Sequence, residues 1–193
     1  MVPYYNRPSQ AGLLAHFTAS AAATDLPVMI YDVPPRSARK IETATIVELS
    51  KIDNVVALKD AAGDPSETAS LIAQVDDDFE VYSGDDSLTL PFLSVGAVGV
   101  VGVVTHYVGR EMSEMINAYR DGKVAEAREL NQKMMVAYEH FGYDDAPSPV
   151  PTKSMMNVMG QPAGPCRLPM GPAPADLDER SRRVLAALGR TEG

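Results

Sequence analysis

Four short apolar runs begin at residues 27, 54, 79 and 98, and each gives way to a stretch of helical periodicity. This rhythm restricts the chain more than any other feature. Residues 27–31 (PVMIY), 54–59 (NVVALK), 79–83 (FEVYS) and 98–104 (VGVVGVV) read as strands, each short, apolar and bounded by turn residues. Helical patterns fill residues 42–52, 65–74, 86–95 and 109–120, with Pro65 placed in the first turn of its helix. Strands that alternate with helices pair in parallel through right-handed crossovers, so the spacing predicts an α/β fold. A helix over residues 9–24, with Ser9 as its N-cap, comes first. A strand should lead into it, yet only Met1-Val2-Pro3 is available.

The rhythm stops near residue 121. An amphipathic helix at residues 124–141 is followed by a turn holding Pro147, Pro149 and Pro151 and a helix at 153–159. A Gly/Pro-rich crossing at 160–175 and a last helix at 177–188 complete the chain. Two regions are therefore expected, an α/β part over residues 1–121 and a helical part over 122–193. Beyond the βα rhythm there is no internal repeat and no low-complexity segment.

Several function classes are excluded at this level. A net charge of −9 without a basic cluster argues against nucleic acid as a partner. The longest apolar run, starting at Val98, is far too short to cross a bilayer, and MVPYYNRPSQ lacks the form of a signal peptide. The single cysteine, Cys166, cannot form an intrachain disulfide, which sets a reducing cytoplasm as the default location. It has no basic neighbour to activate it and reads as a passive thiol. Asp76-Asp77-Asp78 lacks the alternating ligands and closing glutamate of a calcium loop, so a solvated turn is expected. Gly63 and Gly84 follow strands without a phosphate-binding pattern, and the Met134-Met135 and Met155-Met156 pairs read as core filler. No metal and no cofactor is called for.

Parallel strands ringed by helices place their chemistry at the strands' C-terminal ends. There the sequence puts Tyr31-Asp32, Lys59-Asp60, Ser83-Gly84-Asp85-Asp86 and Thr105-His106. Lys59 closes an apolar strand, and desolvation against such a wall disfavours the ammonium. A lysine lowered toward neutrality can attack a carbonyl and form a Schiff base, with a nearby tyrosine such as Tyr31 moving protons. Pattern alone favours a solvated or ion-paired lysine, a rim tyrosine at Tyr31, and a His106 packed at the rim rather than lining a pocket.

The segments PYYNRPSQAGL, IYDVPPRS, VVALKDAAGD, YSGDD, GAVGVVGVV and RLPM, in that order, resemble the dihydrodipicolinate synthase family. These are pyruvate-dependent class I aldolases on a (β/α)8 barrel, a group that includes N-acetylneuraminate lyase. The likeness runs from Val2 to about Leu188 and implies a partial TIM barrel, about the last four βα units, with the family's C-terminal helical extension. By position, it implies that Lys59 is the Schiff-base lysine for pyruvate and Tyr31 a proton relay that orients the substrate carboxylate. Tyr5 would be the relay tyrosine lent across a tight dimer, with Tyr4 in that interface. Gly84 and Val101 would bring backbone groups to the bound pyruvate. Arg36 would hold the carboxylate of aspartate semialdehyde, as in the synthase branch of the family. Pyruvate and aspartate semialdehyde are then the implied substrates, and a homo-oligomer, dimer or tetramer, the implied assembly. The implied reaction is synthesis of 4-hydroxy-tetrahydrodipicolinate for lysine and diaminopimelate. The alternatives are another pyruvate lyase or hydratase-aldolase and a catalytically inactive fragment.

Two departures stand out. Ala38 occupies the place of the family's usual glycine after the Arg-Ser pair, and Arg39-Lys40 adds positive charge expected beside the pocket. The family's first strands, with the Thr-Thr pair of G-T-T-G-E, have no counterpart. The expectation is a piece of a longer protein, a truncated product, or a half-barrel that pairs with another chain.

Overall fold

The computed structural model describes residues 1–190. The chain forms two compact units, Met1–Gly102 and Val103–Gly193. In the first, helix α1 (Gln10–Ala21) precedes strand β1 (Val28–Asp32), followed by α2 (Pro34–Ser37), α3 (Thr43–Ser50), β2 (Val55–Asp60) and α4 (Pro65–Ile72). Then come β3 (Glu80–Ser83), a 3-10 turn (Asp86–Leu88), α5 (Thr89–Ser94) and β4 (Gly99–Val100). The four strands form one sheet in the order β1-β2-β3-β4, every pair parallel. This is the βα arrangement that the spacing predicts.

Local chemistry accounts for the helix starts. The Ser9 hydroxyl accepts from the Gly12 N–H, and the Asp64 carboxylate accepts from the N–H groups of Ser66 and Glu67 ahead of α4. These are N-caps that satisfy donors the helix itself cannot. Helix α2 was not foreseen. Its two prolines fix φ near the helical value at the first positions, and the short turn ends at Ala38.

The sheet carries two unlike faces. Ile30, Leu58 and Val81 stand in register and pack with Leu13, Phe17, Ile46, Leu49, Leu71 and Phe92 into the core beneath the helices. The opposite face carries Met29, Ala57 and Glu80 in one row and Tyr31, Lys59 and Tyr82 in the next. A β-bulge creates this alignment: Val28 pairs with Val55, but Met29 pairs with Ala57, leaving Val56 as the extra residue. Met1-Val2-Pro3 supplies one hydrogen bond in place of a leading strand, from Val2 N–H to the Tyr31 carbonyl at 3.3 Å, and buries the Val2 side chain completely.

The last strand is shorter than expected. Residues 98–104 yield only Gly99–Val100 as strand, flanked by bonds from Val98 N–H to Val81 O and Val101 N–H to Ser83 O. β3 ends at Ser83, and its pairing with β4 ends at Val100. As a result Thr105 and His106 are not a strand end but open helix α6 (Thr105–Arg120).

The second unit adds α7 (Val124–Glu139), α8 (Val150–Val158) and α9 (Leu177–Ala187) to α6. The sequence places the whole of α6 in the α/β part, which ends at residue 121, whereas the second compact unit begins at Val103. Among the described residues, no helix is long and apolar enough to cross a membrane.

Candidate functional site

Lys59 ends β2 directly opposite Tyr31 of β1, and its Nζ lies 4.2 Å from the centre of the Tyr31 ring. Both side chains are half-buried on the face away from the helices. Burial lowers the pKa of the Lys59 ammonium below its usual range, while the Asp86 carboxylate pulls it back up. Asp86 opens the 3-10 turn after β3 and is itself buried. Burial raises the pKa of the Tyr31 phenol, opposed by the charge of Arg36, so the hydroxyl keeps its proton at neutral pH. The arrangement is an amine with a weakened hold on its proton beside a protonated phenol. That pairing suits attack on a carbonyl with proton transfer to its oxygen.

Arg36 sits exposed on α2, close enough for its charge to act on Tyr31. No ion pair among the described residues involves it. Its neighbours turn elsewhere: Arg39 pairs with Glu42 at 3.9 Å, and Lys40 pairs with Glu67. For Lys40 the expected extra positive charge beside the pocket is corrected: it lies on the helix side with Asp32 and Asp60 and is paired with Glu67.

Gly84 lies where the chain leaves β3. Its N–H donates to the Asp60 carbonyl at 2.6 Å, and a Cβ there would come within 2.8 Å of the Ala61 side chain and 3.0 Å of that carbonyl. Only glycine fits so close an approach of two strand ends. Val101 follows β4, bonded through its N–H to Ser83 and 38% exposed.

Tyr5 stands apart. It is 87% exposed, with a left-handed φ of 71°, in the loop before α1, and Tyr4 beside it is 69% exposed. The structure brings together Tyr31, Lys59 and Asp86 with Arg36 nearby, and leaves Tyr5 in solvent. His106 is also exposed, on α6, its Nδ1 2.7 Å from the Val103 carbonyl. Asp76, Asp77 and Asp78 are exposed in the turn before β3.

Asp32 and Asp60, which the sequence sets in the rim, lie behind it in the structure. Asp32 and Asp60 are register partners on the helix side, 2% and 7% exposed. The Asp60 carboxylate accepts from Ala62 N–H at 2.9 Å and from the Thr68 hydroxyl at 2.8 Å, and Asp32 accepts from Ile41 N–H at 3.3 Å. These bonds tie the loops after β1 and β2 to the strands that carry Tyr31 and Lys59. Burial pushes the Asp32 carboxyl up to about 6, with Asp60 adding to the rise and the Ile41 N–H and Lys40 opposing it. Their signal in the sequence was adjacency: each follows a rim residue directly. Tyr82, the third member of the Lys59 row, was unread.

The model of the dihydrodipicolinate synthetase family matches residues 1–188. The 4-hydroxy-tetrahydrodipicolinate synthase of Listeria monocytogenes is 44% identical over 190 residues, covering 98% of this chain and 64% of that protein. That of Moorella thermoacetica is 42% identical over 191 residues, covering 99% and 64%. The crystal structure of a dihydrodipicolinate synthase from Bacillus anthracis superposes with a TM-score of 0.91 at 44% identity, covering 96% of this chain and 63% of that one. The enzyme from Cyanidioschyzon merolae, solved with lysine bound, gives 0.92 at 38% identity, covering 98% and 64%. The chain thus spans a little under two thirds of the length of the relatives it matches, and its parallel sheet corresponds to part of their TIM barrel.

Proposed function

The chain belongs to the dihydrodipicolinate synthetase family, and we propose that Lys59 is the amine through which it captures pyruvate as a Schiff base. The reaction served is condensation of pyruvate with aspartate semialdehyde to 4-hydroxy-tetrahydrodipicolinate, on the route to lysine and diaminopimelate in the cytoplasm. The observation that carries this reading is the Lys59 Nζ held 4.2 Å above the Tyr31 ring at the end of a parallel strand, with burial weakening its proton.

The neutral amine attacks the ketone carbon of pyruvate, and one nitrogen proton passes to the former carbonyl oxygen. Tyr31 relays a second proton to that oxygen, which leaves as water when the imine forms. Transfer of a methyl proton to the imine nitrogen gives an enamine, whose carbon attacks the aldehyde of the second substrate. Arg36 has no acidic partner of its own and a planar fork that fits a carboxylate, so it receives the acid group of aspartate semialdehyde. Gly84 and Val101 present backbone groups to the bound pyruvate. The exposure of Tyr5 and Tyr4 supports a dimer in which Tyr5 serves the neighbouring subunit's site.

The test is borohydride reduction in the presence of pyruvate, followed by peptide mass analysis. A reduced pyruvyl adduct on Lys59 is expected, and its absence there overturns the mechanism. Arg36 separates the synthase reading from other pyruvate lyases. With Arg36→Ala, turnover of aspartate semialdehyde is expected to fall far more than that of aldehydes lacking a carboxylate. An equal effect on both would assign the second substrate elsewhere.

A further inference from the structure

Resting on the Schiff-base reading of Lys59, we infer that Tyr82 is a specificity-determining residue that limits how bulky a 2-oxo acid Lys59 can take. Tyr31, Lys59, Tyr82 and Gly99 form one continuous row across β1, β2, β3 and β4. Neighbouring strands lie about 4.8 Å apart, and residues in register point to the same face, so Tyr82 flanks Lys59 on the side away from Tyr31.

Two contacts fix where its ring goes. The hydroxyl donates to Glu80 Oε2 at 2.6 Å, two residues back along the same strand and on the same face. The ring is therefore laid down along the sheet, away from the strand ends where the chemistry sits. It also leans over Gly99, where an added Cβ would stand 3.3 Å and 3.4 Å from Cδ1 and Cε1 of the ring. The open position at Gly99 accommodates one edge of the ring, while Tyr82 remains the register neighbour of Lys59. The result is a floor below and beside the amine. A ketone carbon can reach Nζ from the open strand ends, whereas a substituent longer than methyl, extending down the sheet, meets the Tyr82 ring.

The chemistry this selects is pyruvate over 2-oxobutanoate and 2-oxopentanoate. Tyr82→Ala should raise the ratio of 2-oxobutanoate to pyruvate adducts on Lys59, trapped by borohydride, about tenfold. Tyr82→Phe, which keeps the ring and loses the Glu80 anchor, should fall between. Gly99→Ala pushes the ring by a few tenths of an ångström toward the lysine and should lower the ratio. A second readout needs no pyruvate: acylation of Lys59 by acetyl and benzoyl N-hydroxysuccinimide esters, quantified by peptide mass. Tyr82→Ala should raise the benzoyl-to-acetyl ratio in chains whose melting temperature confirms folding. An unchanged acylation ratio in folded Tyr82→Ala overturns the assignment, whatever pyruvate does. A shifted acylation ratio with no pyruvate adduct on Lys59 upholds the wall and overturns the Schiff-base reading alone.

Discussion

The Lys59 ammonium nitrogen sits 4.2 Å from the centre of the Tyr31 ring, across the register pair that joins β1 to β2. The ring face attracts the cation, whereas burial disfavours it and lowers the Lys59 pKa, with the Asp86 carboxylate opposing that fall. The phenol beside it stays protonated.

Tyr31→Phe keeps the ring and removes only the proton relay. Lys59 should retain its lowered pKa, read from the pH dependence of its acylation. The rate of borohydride-trappable imine formation with pyruvate should fall on the order of 10²-fold. Equal loss of both would mean that the hydroxyl positions the amine rather than moving protons.

Asp32→Asn should stabilise the protein at neutral pH. Asp32 ionises near 3.8 when unfolded and at about 6 when folded. Between those values the native state binds more protons than the unfolded state, so stability falls as pH rises through the window, and the cost is complete above 6. Asparagine keeps the acceptor for the Ile41 N–H and removes the charge held against Asp60. A gain on the order of 2 kcal/mol is expected at pH 7.5, vanishing below pH 4, by urea unfolding. A gain independent of pH would point to some cause other than the charge.

His140 should give the helical unit the opposite slope. It is fully buried, its Nδ1 2.8 Å from the Tyr143 hydroxyl and its Nε2 3.0 Å from the Ser181 hydroxyl. Ser154 donates to Asp178 at 2.6 Å, so the 2.9 Å Ser154–Ser181 bond takes its proton from Ser181. His140 Nε2–H must then donate to Ser181, and Nδ1 accepts from Tyr143. This one-way chain admits the neutral imidazole, and burial, aided by Arg180, lowers the His140 pKa to about 4. The native state binds fewer protons than the unfolded one, so stability is full above the unfolded value of 6.5 and drains away as pH falls toward 4. Amide exchange in α7, α8 and α9 should quicken over that window. His140→Gln should flatten the dependence by about 2 kcal/mol. A variant that keeps the full slope would show that other groups produce it.

Ala38→Gly should stabilise the first unit by about 0.5–1 kcal/mol, read as a rise in Tm. Ala38 ends α2 with φ 58°, a left-handed conformation that costs a residue with a Cβ but not glycine. The Ala38 carbonyl, which accepts from Arg7 Nε at 3.2 Å, is unaffected. A fall in Tm would show that the glycine's added freedom in the unfolded chain outweighs the relieved strain.

What the sequence determined by itself is whatever rests on neighbours along the chain. Apolar runs alternating with helical periodicity define the parallel α/β order, and Ser9, Asp64 and Pro65 mark helix starts through bonds that span only a few residues. The ordered motifs around Tyr31, Lys59 and Ser83 also carry the family. Tertiary structure decided what depends on pairing between strands. The bulge at Val56 is the clearest case, because without that extra residue Tyr31 would face Leu58 and Asp32 would face Lys59. A slip of one residue turns every later side chain to the other face. The bulge instead places Tyr31, Lys59 and Tyr82 on the open face and Asp32 with Asp60 beneath the helices. It is a nonlocal hydrogen-bonding choice, and no local pattern in NVVALKD records it.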